Sequence, residues 1–309
     1  MIVPSAAGVV ATVQDQPGGA AWLADLPRLV AELQRDWELA LGPAWLDGTV
    51  SWTAPAVDHA GRRVVLKVSW PHDEAAGEAM ALAHWGGLGA VSLLRHDPGR
   101  WALLLERCDP GTALRDDPAA DDTRLAVGAA VLRRLWDTRP PDPPPPIDLV
   151  PSLADTAERW AALVEERADR TAAPHDPGLV TLGAGLLRDL PKTAERDVLL
   201  HGDANPANLL RSGTRWLAID PKPMLGDPAY DPWPLLVQVG APFQAADPAA
   251  VLRARYATFG ELTGLPVVRL LGWSVARTVE MALWEDHHGL SSAAAASMSR
   301  ARVLADLLG

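Results

Sequence analysis

Between Val198 and Pro223 the chain reads VLLHGDANPANLLRSGTRWLAIDPKP. Asp203 and Asn208 stand there in a D-x-x-x-x-N spacing, and Asp220 follows twelve positions after Asn208. Apolar runs on either side of Ser212-Gly213 predict a β-hairpin. A hairpin returns its two ends to one edge, so Asp203, Asn208 and Asp220 are expected to converge. A carboxylate that orients a hydroxyl and accepts its proton, followed by two hard oxygen ligands for Mg²⁺, is a set that suits phosphoryl transfer. Asparagine fits the second role because it coordinates without adding charge that competes with phosphates. The same spacing also describes an Asx-rich loop bonded to its own backbone. The loop alone leaves both readings open.

A second group lies far upstream. Lysine occurs at positions 67, 192 and 222, and the other 25 basic residues are arginine. Lys67 lies inside the apolar run RRVVLKV. An ammonium is a compact point charge that fits beside phosphates, whereas a guanidinium is a planar fork. A strand-edge lysine reaching for water is the plainer alternative. Glu78, on the helix expected next, can pair with Lys67 and aim it, and Glu74 one turn earlier is a substitute. The neighbours Ala79, Leu82 and Ala83 favour Glu78 because they put its turn toward a core.

Several elements must position these side chains. Apolar residues at Trp22, Leu26, Leu29, Val30, Leu33 and Trp37 predict a helix over 22–41, stopped by Gly42-Pro43. TVSWTAPAV and RRVVLKVSW read as an antiparallel hairpin about the turn DHAG. A helix over HDEAAGEAMALAHW and two strands around Asp97-Pro98-Gly99 follow. Beyond Cys108 the pattern turns helical: 122–138, 152–169, 179–190, 248–263, 267–288 and 291–308. RPPDPPPP, at 139–146, reads as an extended surface connection. The expected architecture is α+β and bilobal, with a sheet-rich N-lobe over 1–107, a mainly helical C-lobe over 108–309, and a ligand cleft between the lobes.

Composition narrows the function classes. A formal charge of −11 argues against a nucleic-acid or anionic-membrane surface and suits a cationic small-molecule partner. One cysteine, Cys108, excludes an intramolecular disulfide. The first basic residue is Arg28, so no signal peptide is expected, and no apolar run is long enough to span a membrane. These features predict a cytoplasmic protein.

A strand lysine, a helix glutamate, HGDxxxxN and a following IDP, in that order, resemble the aminoglycoside phosphotransferase family, a branch of the protein-kinase-like fold. The likeness spans Thr49 to Trp233. The words VLKV, GAVSLLRHD, LLLERC, LLHGDANPANLL and AIDPKPMLGDPAYD are most similar to the streptomycin 6-kinase and hydroxyurea phosphotransferase subgroup. The resemblance implies Asp203 as catalytic base, Asn208 and Asp220 on Mg²⁺, and Lys67 on the ATP phosphates with Glu78 orienting it. It implies a hinge over Leu105–Cys108, including Glu106 and Cys108, whose backbone meets adenine. Asp227 would accept N–H bonds from the catalytic loop. Gly202 stands where protein kinases have Arg, Pro221 where they have Phe, and no G-x-G-x-x-G covers the phosphates, which leaves Gly42, Gly48 and the GTVSWT stretch. His201 is expected to tie the loop together.

Lys222 either contacts the transferring phosphate or substrate, or is a loop charge. RTVEMALWEDHHG offers Glu280, Trp284, Glu285 and Asp286, and Asp231 is a further acidic group. Carboxylates beside an aromatic face would suit a guanidinium or ammonium. Equally, helix carboxylates commonly form a solvated face. Three functions follow: a kinase of an aminoglycoside such as streptomycin; a kinase of another hydroxylated metabolite such as an amino sugar, a sugar or hydroxyurea; and a nucleotide-binding pseudokinase that binds a partner. The presence of Lys67, Asp203, Asn208 and Asp220 speaks against the third.

Overall fold

The computed structural model describes residues 7–45, 50–138, 150–171 and 175–309. Gly48 and the proline-rich run at 139–146 lie outside the described residues, as does the side chain of Glu74. The chain divides into two compact units, Met1–Gly111 with Arg211–Leu217, and Thr112–Leu210 with Ala218–Gly309.

The first unit contains helices α1 (Ala7–Val13) and α2 (Gly19–Asp36) and a five-stranded antiparallel sheet. Its strands are β1 (Ala40–Leu41), β2 (Ser51–Val57), β3 (Arg63–Ser69), β4 (Leu93–Asp97) and β5 (Ala102–Glu106), in the order β1-β2-β3-β5-β4. Asp58 closes the β2–β3 turn by accepting the amides of Ala60 and Arg62. Asp97 closes β4–β5 by accepting that of Arg100. One face of the sheet carries Trp52, Ala54, Val64, Leu66 and Val68 against Leu26, Val30 and Leu33 of α2. Each fully buried leucine or valine there contributes about 1.5–3 kcal/mol. Strand alternation sends Lys67 to the other face. The helix expected over 72–85 is two helices, α3 (Asp73–Ala76) and α4 (Glu78–Trp85), separated at Gly77. The break sets Glu78 in the first turn of α4.

The second unit is mainly helical. After β6 (Pro110–Ala113) come α5 (Asp121–Trp136), α6 (Leu153–Arg170) and α7 (Pro177–Asp189). Strands β7 (Val198–Leu200), β8 (Leu209–Ser212), β9 (Arg215–Ala218) and β10 (Met224–Gly226) follow, then α8 (Trp233–Gln238), α9 (Pro248–Thr263), α10 (Val267–His287) and α11 (Ser291–Leu308). Ser152 and Asp176 cap α6 and α7 by accepting amides of their first turns. Helix α10 packs on α6, α7, α9 and α11 and is buried all round in its middle, from Leu270 to Ala276. That is the pattern of a central helix, not a surface one.

Two short pairings frame the Asp203 loop. β8 and β9 form the expected hairpin, with β6 alongside in the order β6-β8-β9. β7 pairs antiparallel with β10, Leu200 opposite Met224 and Val198 opposite Gly226. A Cβ on Gly226 would lie 2.5 Å from Leu153 Cβ, so glycine lets α6 approach the strand.

Candidate active site

The β7–β10 pair clamps both ends of residues 201–223, and the loop is tied across its base. Lys222 donates its amide to His201 O at 2.8 Å. Gly202 has φ +79°, and a Cβ there would come 1.9 Å from Lys222 O. Only glycine fits, for both conformational and steric reasons.

Beneath the loop lies Asp231, 1% exposed. One carboxylate oxygen accepts the Gly202 amide at 2.8 Å, and the other accepts the His201 amide and Trp136 Nε1–H, each at 2.9 Å. Burial pushes the Asp231 carboxyl up, and these N–H donors pull it back. Two expectations are corrected here. The carboxylate that holds the catalytic loop is Asp231, not Asp227, and Asp231 has no oxygen turned toward an acceptor. Asp227 caps the turn at Pro228 through the Ala229 amide and binds Arg269 and Trp273.

His201 is fully buried. Its Nδ1 accepts the Asp203 amide at 3.3 Å, so Nε2 carries the proton and donates it to Ile219 O at 3.0 Å. The ring is thus a neutral tie between the two sides of the hairpin base. Burial holds its pKa below the usual histidine value.

Asp203 sits half-buried at the front of this frame. Asn205 Nδ2 donates to its Oδ1 at 2.9 Å, and Lys222 Nζ stands 3.6 Å from its Oδ2. Asn205 is a positioning residue that the D-x-x-x-x-N pattern passes over. Its signal in the sequence was a second asparagine inside the same loop. Asn208 donates Nδ2 to Asp203 O at 2.9 Å, and its own carbonyl accepts the Ile219 amide at 2.9 Å. With the amide nitrogen engaged, the oxygen of Asn208 is the end left to present to a cation. Asp220 is exposed and has φ +59°, a left-handed backbone that costs a non-glycine residue about 1–3 kcal/mol. Among the described residues no group of three or more His, Cys, Asp or Glu is placed to hold a metal ion by itself. One asparagine oxygen and one carboxylate fit a hard cation that keeps several waters and takes its other ligands from phosphates.

In the first unit, Lys67 Nζ donates to both Glu78 oxygens at 2.7 Å. Lys67 is 6% and Glu78 2% exposed. Burying such a pair carries a desolvation cost of several kcal/mol per ion, so stability alone does not account for it. Glu106 gives one oxygen to the Ser92 amide and hydroxyl and the other to Arg215 at 2.9 Å. Its amide goes to Ser92 O. The Glu106 carboxylate is therefore a sheet-edge tie and not a group for adenine. Cys108 is buried beside Ser212, and desolvation pushes its thiol up to about 11, so it stays protonated near neutral pH.

The acceptor residues separate. Glu280 is buried and already paired, with Arg277 Nη1 at 2.9 Å and Arg167 Nη1 at 3.7 Å. Arg277 stands three positions before Glu280 on the same helix, a pair that helix spacing contains; Arg167 comes from α6 and could not be read that way. Asp286 binds Thr171 and faces His175 at 3.4 Å. Trp284 is exposed and stacks on His288 at 4.1 Å between ring centres. Glu285 is half-buried, and its Oε2 has no hydrogen-bond partner among the described residues.

Residues 37–289 match the family described as aminoglycoside/hydroxyurea antibiotic resistance kinase. A streptomycin 6-kinase of Streptomyces glaucescens is 35% identical over 288 residues, covering 93% of this chain and 91% of that protein. A hydroxyurea phosphotransferase of Kitasatospora aureofaciens is 34% identical over 287 residues, covering 90% and 79%. The crystal structure of aminoglycoside phosphotransferase APH(4)-Ia, in a ternary complex with ADP and hygromycin B, superposes with a TM-score of 0.63 at 17% identity over 90% of this chain and 98% of that one. The expected protein-kinase-like α+β fold is the fold observed.

Proposed function

Because this chain belongs to the aminoglycoside/hydroxyurea antibiotic resistance kinase family, we propose that it transfers the γ-phosphoryl of ATP to a hydroxyl of an aminoglycoside, streptomycin being the first acceptor to test. The coarser statement stands without the proposal: the chain is an ATP-dependent phosphotransferase acting on an alcohol group of a small molecule. One observation supports the assignment of roles above the others. Asp203 has one oxygen fixed by Asn205 and the other facing Lys222, on a loop pinned from below by Asp231.

In this reading Asp203 Oδ2 meets the acceptor hydroxyl, orients it in line with the phosphoryl group and takes its proton. Lys67, held by Glu78, binds the phosphates. Lys222 offsets charge on the phosphoryl oxygens. Asn208 and Asp220 would hold Mg²⁺, which would supply positive charge against the phosphate oxygens. No helix of the described residues is long and apolar enough to cross a membrane.

The test is ADP release with Mg-ATP and a panel of aminoglycosides, amino sugars and hydroxyurea. Acceptor-dependent ADP with streptomycin, and a fall of ~10²–10⁴ in kcat for Asp203→Asn, is the expected result. Full turnover by Asp203→Asn removes the base. The 34% identity to a hydroxyurea phosphotransferase supports hydroxyurea as the second reading. Turnover of hydroxyurea with none of any aminoglycoside would select it. No acceptor-dependent ADP from any alcohol would return the chain to a partner-binding role.

A further inference from the structure

The wall formed by α6 and α10 contains an aromatic cage that is already full. The Arg277 guanidinium carbon lies 4.1 Å from the centre of the Trp160 ring, 5.2 Å from Trp233 and 5.6 Å from Tyr230. Neighbours fix these rings. Trp160 and Tyr230 stack at 6.0 Å, Tyr230 meets Trp273 edge-on at 5.3 Å, and Trp233 Nε1 donates to Thr278 Oγ1 at 3.1 Å. The floor is Glu280, with Arg277 Nη1 on one oxygen and Arg167 near the other. Aromatic faces around a position next to a carboxylate are what an organic cation binds. Here the cation is supplied by the chain itself, and its side chain is only 15% exposed. Arg277 already occupies the position between the rings, so an incoming ammonium or guanidinium is excluded unless Arg277 moves. Tyr230 directly precedes Asp231, whose carboxylate holds the loop that carries Asp203.

We propose that Arg277 is a specificity-determining residue that plugs the cage of Trp160, Tyr230 and Trp233, so that Glu280 does not read the cationic group of the acceptor. The plug excludes small ammonium and guanidinium compounds and leaves acceptor recognition to hydroxyl groups and other carboxylates. That consequence for acceptor choice rests on the kinase reading. The plug itself does not.

The experiment titrates tetramethylammonium and methylguanidinium chloride into the full chain without nucleotide, following tryptophan fluorescence, with sodium chloride as the ionic control. Wild type and Arg277→Lys, which keeps a charge in the cage, should show no saturable change. Arg277→Ala and Arg277→Gln should respond saturably in the millimolar range. Adding Trp160→Leu to either should weaken that response at least about fivefold. A saturable wild-type response overturns the proposal. So does silence from Arg277→Ala when circular dichroism shows it folded. If Arg277→Ala does not fold, Arg277→Gln decides in the same way, and the wild-type titration stands by itself. The readout needs no turnover, so a chain inactive on every acceptor would still give the expected binding.

Discussion

The Asp231 carboxylate accepts the Gly202 amide at 2.8 Å from beneath the loop that carries Asp203. Replacing it by Asn turns one of its two acceptor oxygens into an N–H donor facing other donors. The cost should be about 1–3 kcal/mol in urea unfolding. Because the loop then loses its support, kcat should fall while KM for nucleotide changes little. An unchanged kcat in Asp231→Asn would show that the loop holds its geometry without this carboxylate.

The His201 ring gives the loop a pH dependence whose sign is fixed by its burial. The folded pKa lies below the usual value, and the unfolded imidazole titrates near ~6.5. Below that pH the unfolded chain binds a proton that the folded chain refuses. The stability is therefore fully present above about 6.5 and declines as pH falls through it. Urea midpoints at several pH values should fall toward acid more steeply in wild type than in His201→Gln. Equal slopes would remove the imidazole as the cause.

Lys67 and Glu78 separate function from stability. Glu78→Gln removes the negative charge that Lys67 Nζ meets at 2.7 Å and should destabilise by about 3–5 kcal/mol. The double variant Lys67→Met with Glu78→Met should recover most of that, yet have no turnover. A double variant that is both stable and active would show that the pair is structural. Circular dichroism melts and the ADP assay on the same preparations supply both numbers.

Lys222 is half-exposed beside Asp203. Its replacement by Met should change stability by less than about 0.5 kcal/mol. If its charge acts on the transferring group, kcat falls by roughly 10²–10³, and KM for the acceptor stays near the wild-type value. A rise in KM at constant kcat would move Lys222 from the reacting centre to acceptor binding.

The sequence exposes the parts of this site that local chemistry determines. The β8–β9 hairpin follows from apolar runs about Ser-Gly, and the strand position of Lys67 follows from β-branched neighbours. What long-range packing decides was not legible. The exchange of roles between Asp227 and Asp231 depends on a single turn after Pro228, and both carboxylates sit in the same word, GDPAYD. The β7–β10 pair consists of two three-residue strands joined by no turn signal. Glu280 has one partner the sequence contained, Arg277 three positions before it, and one it did not, Arg167 more than a hundred positions away.

The left-handed backbone of Asp220 sets two selection pressures against each other at one codon. Glycine would relax the chain there and remove the carboxylate together with the strain. A library sorted for heat resistance alone should drift toward glycine at 220, and one sorted for antibiotic survival should keep aspartate. Sequencing the two survivors at that position would record which trait each selection rewarded.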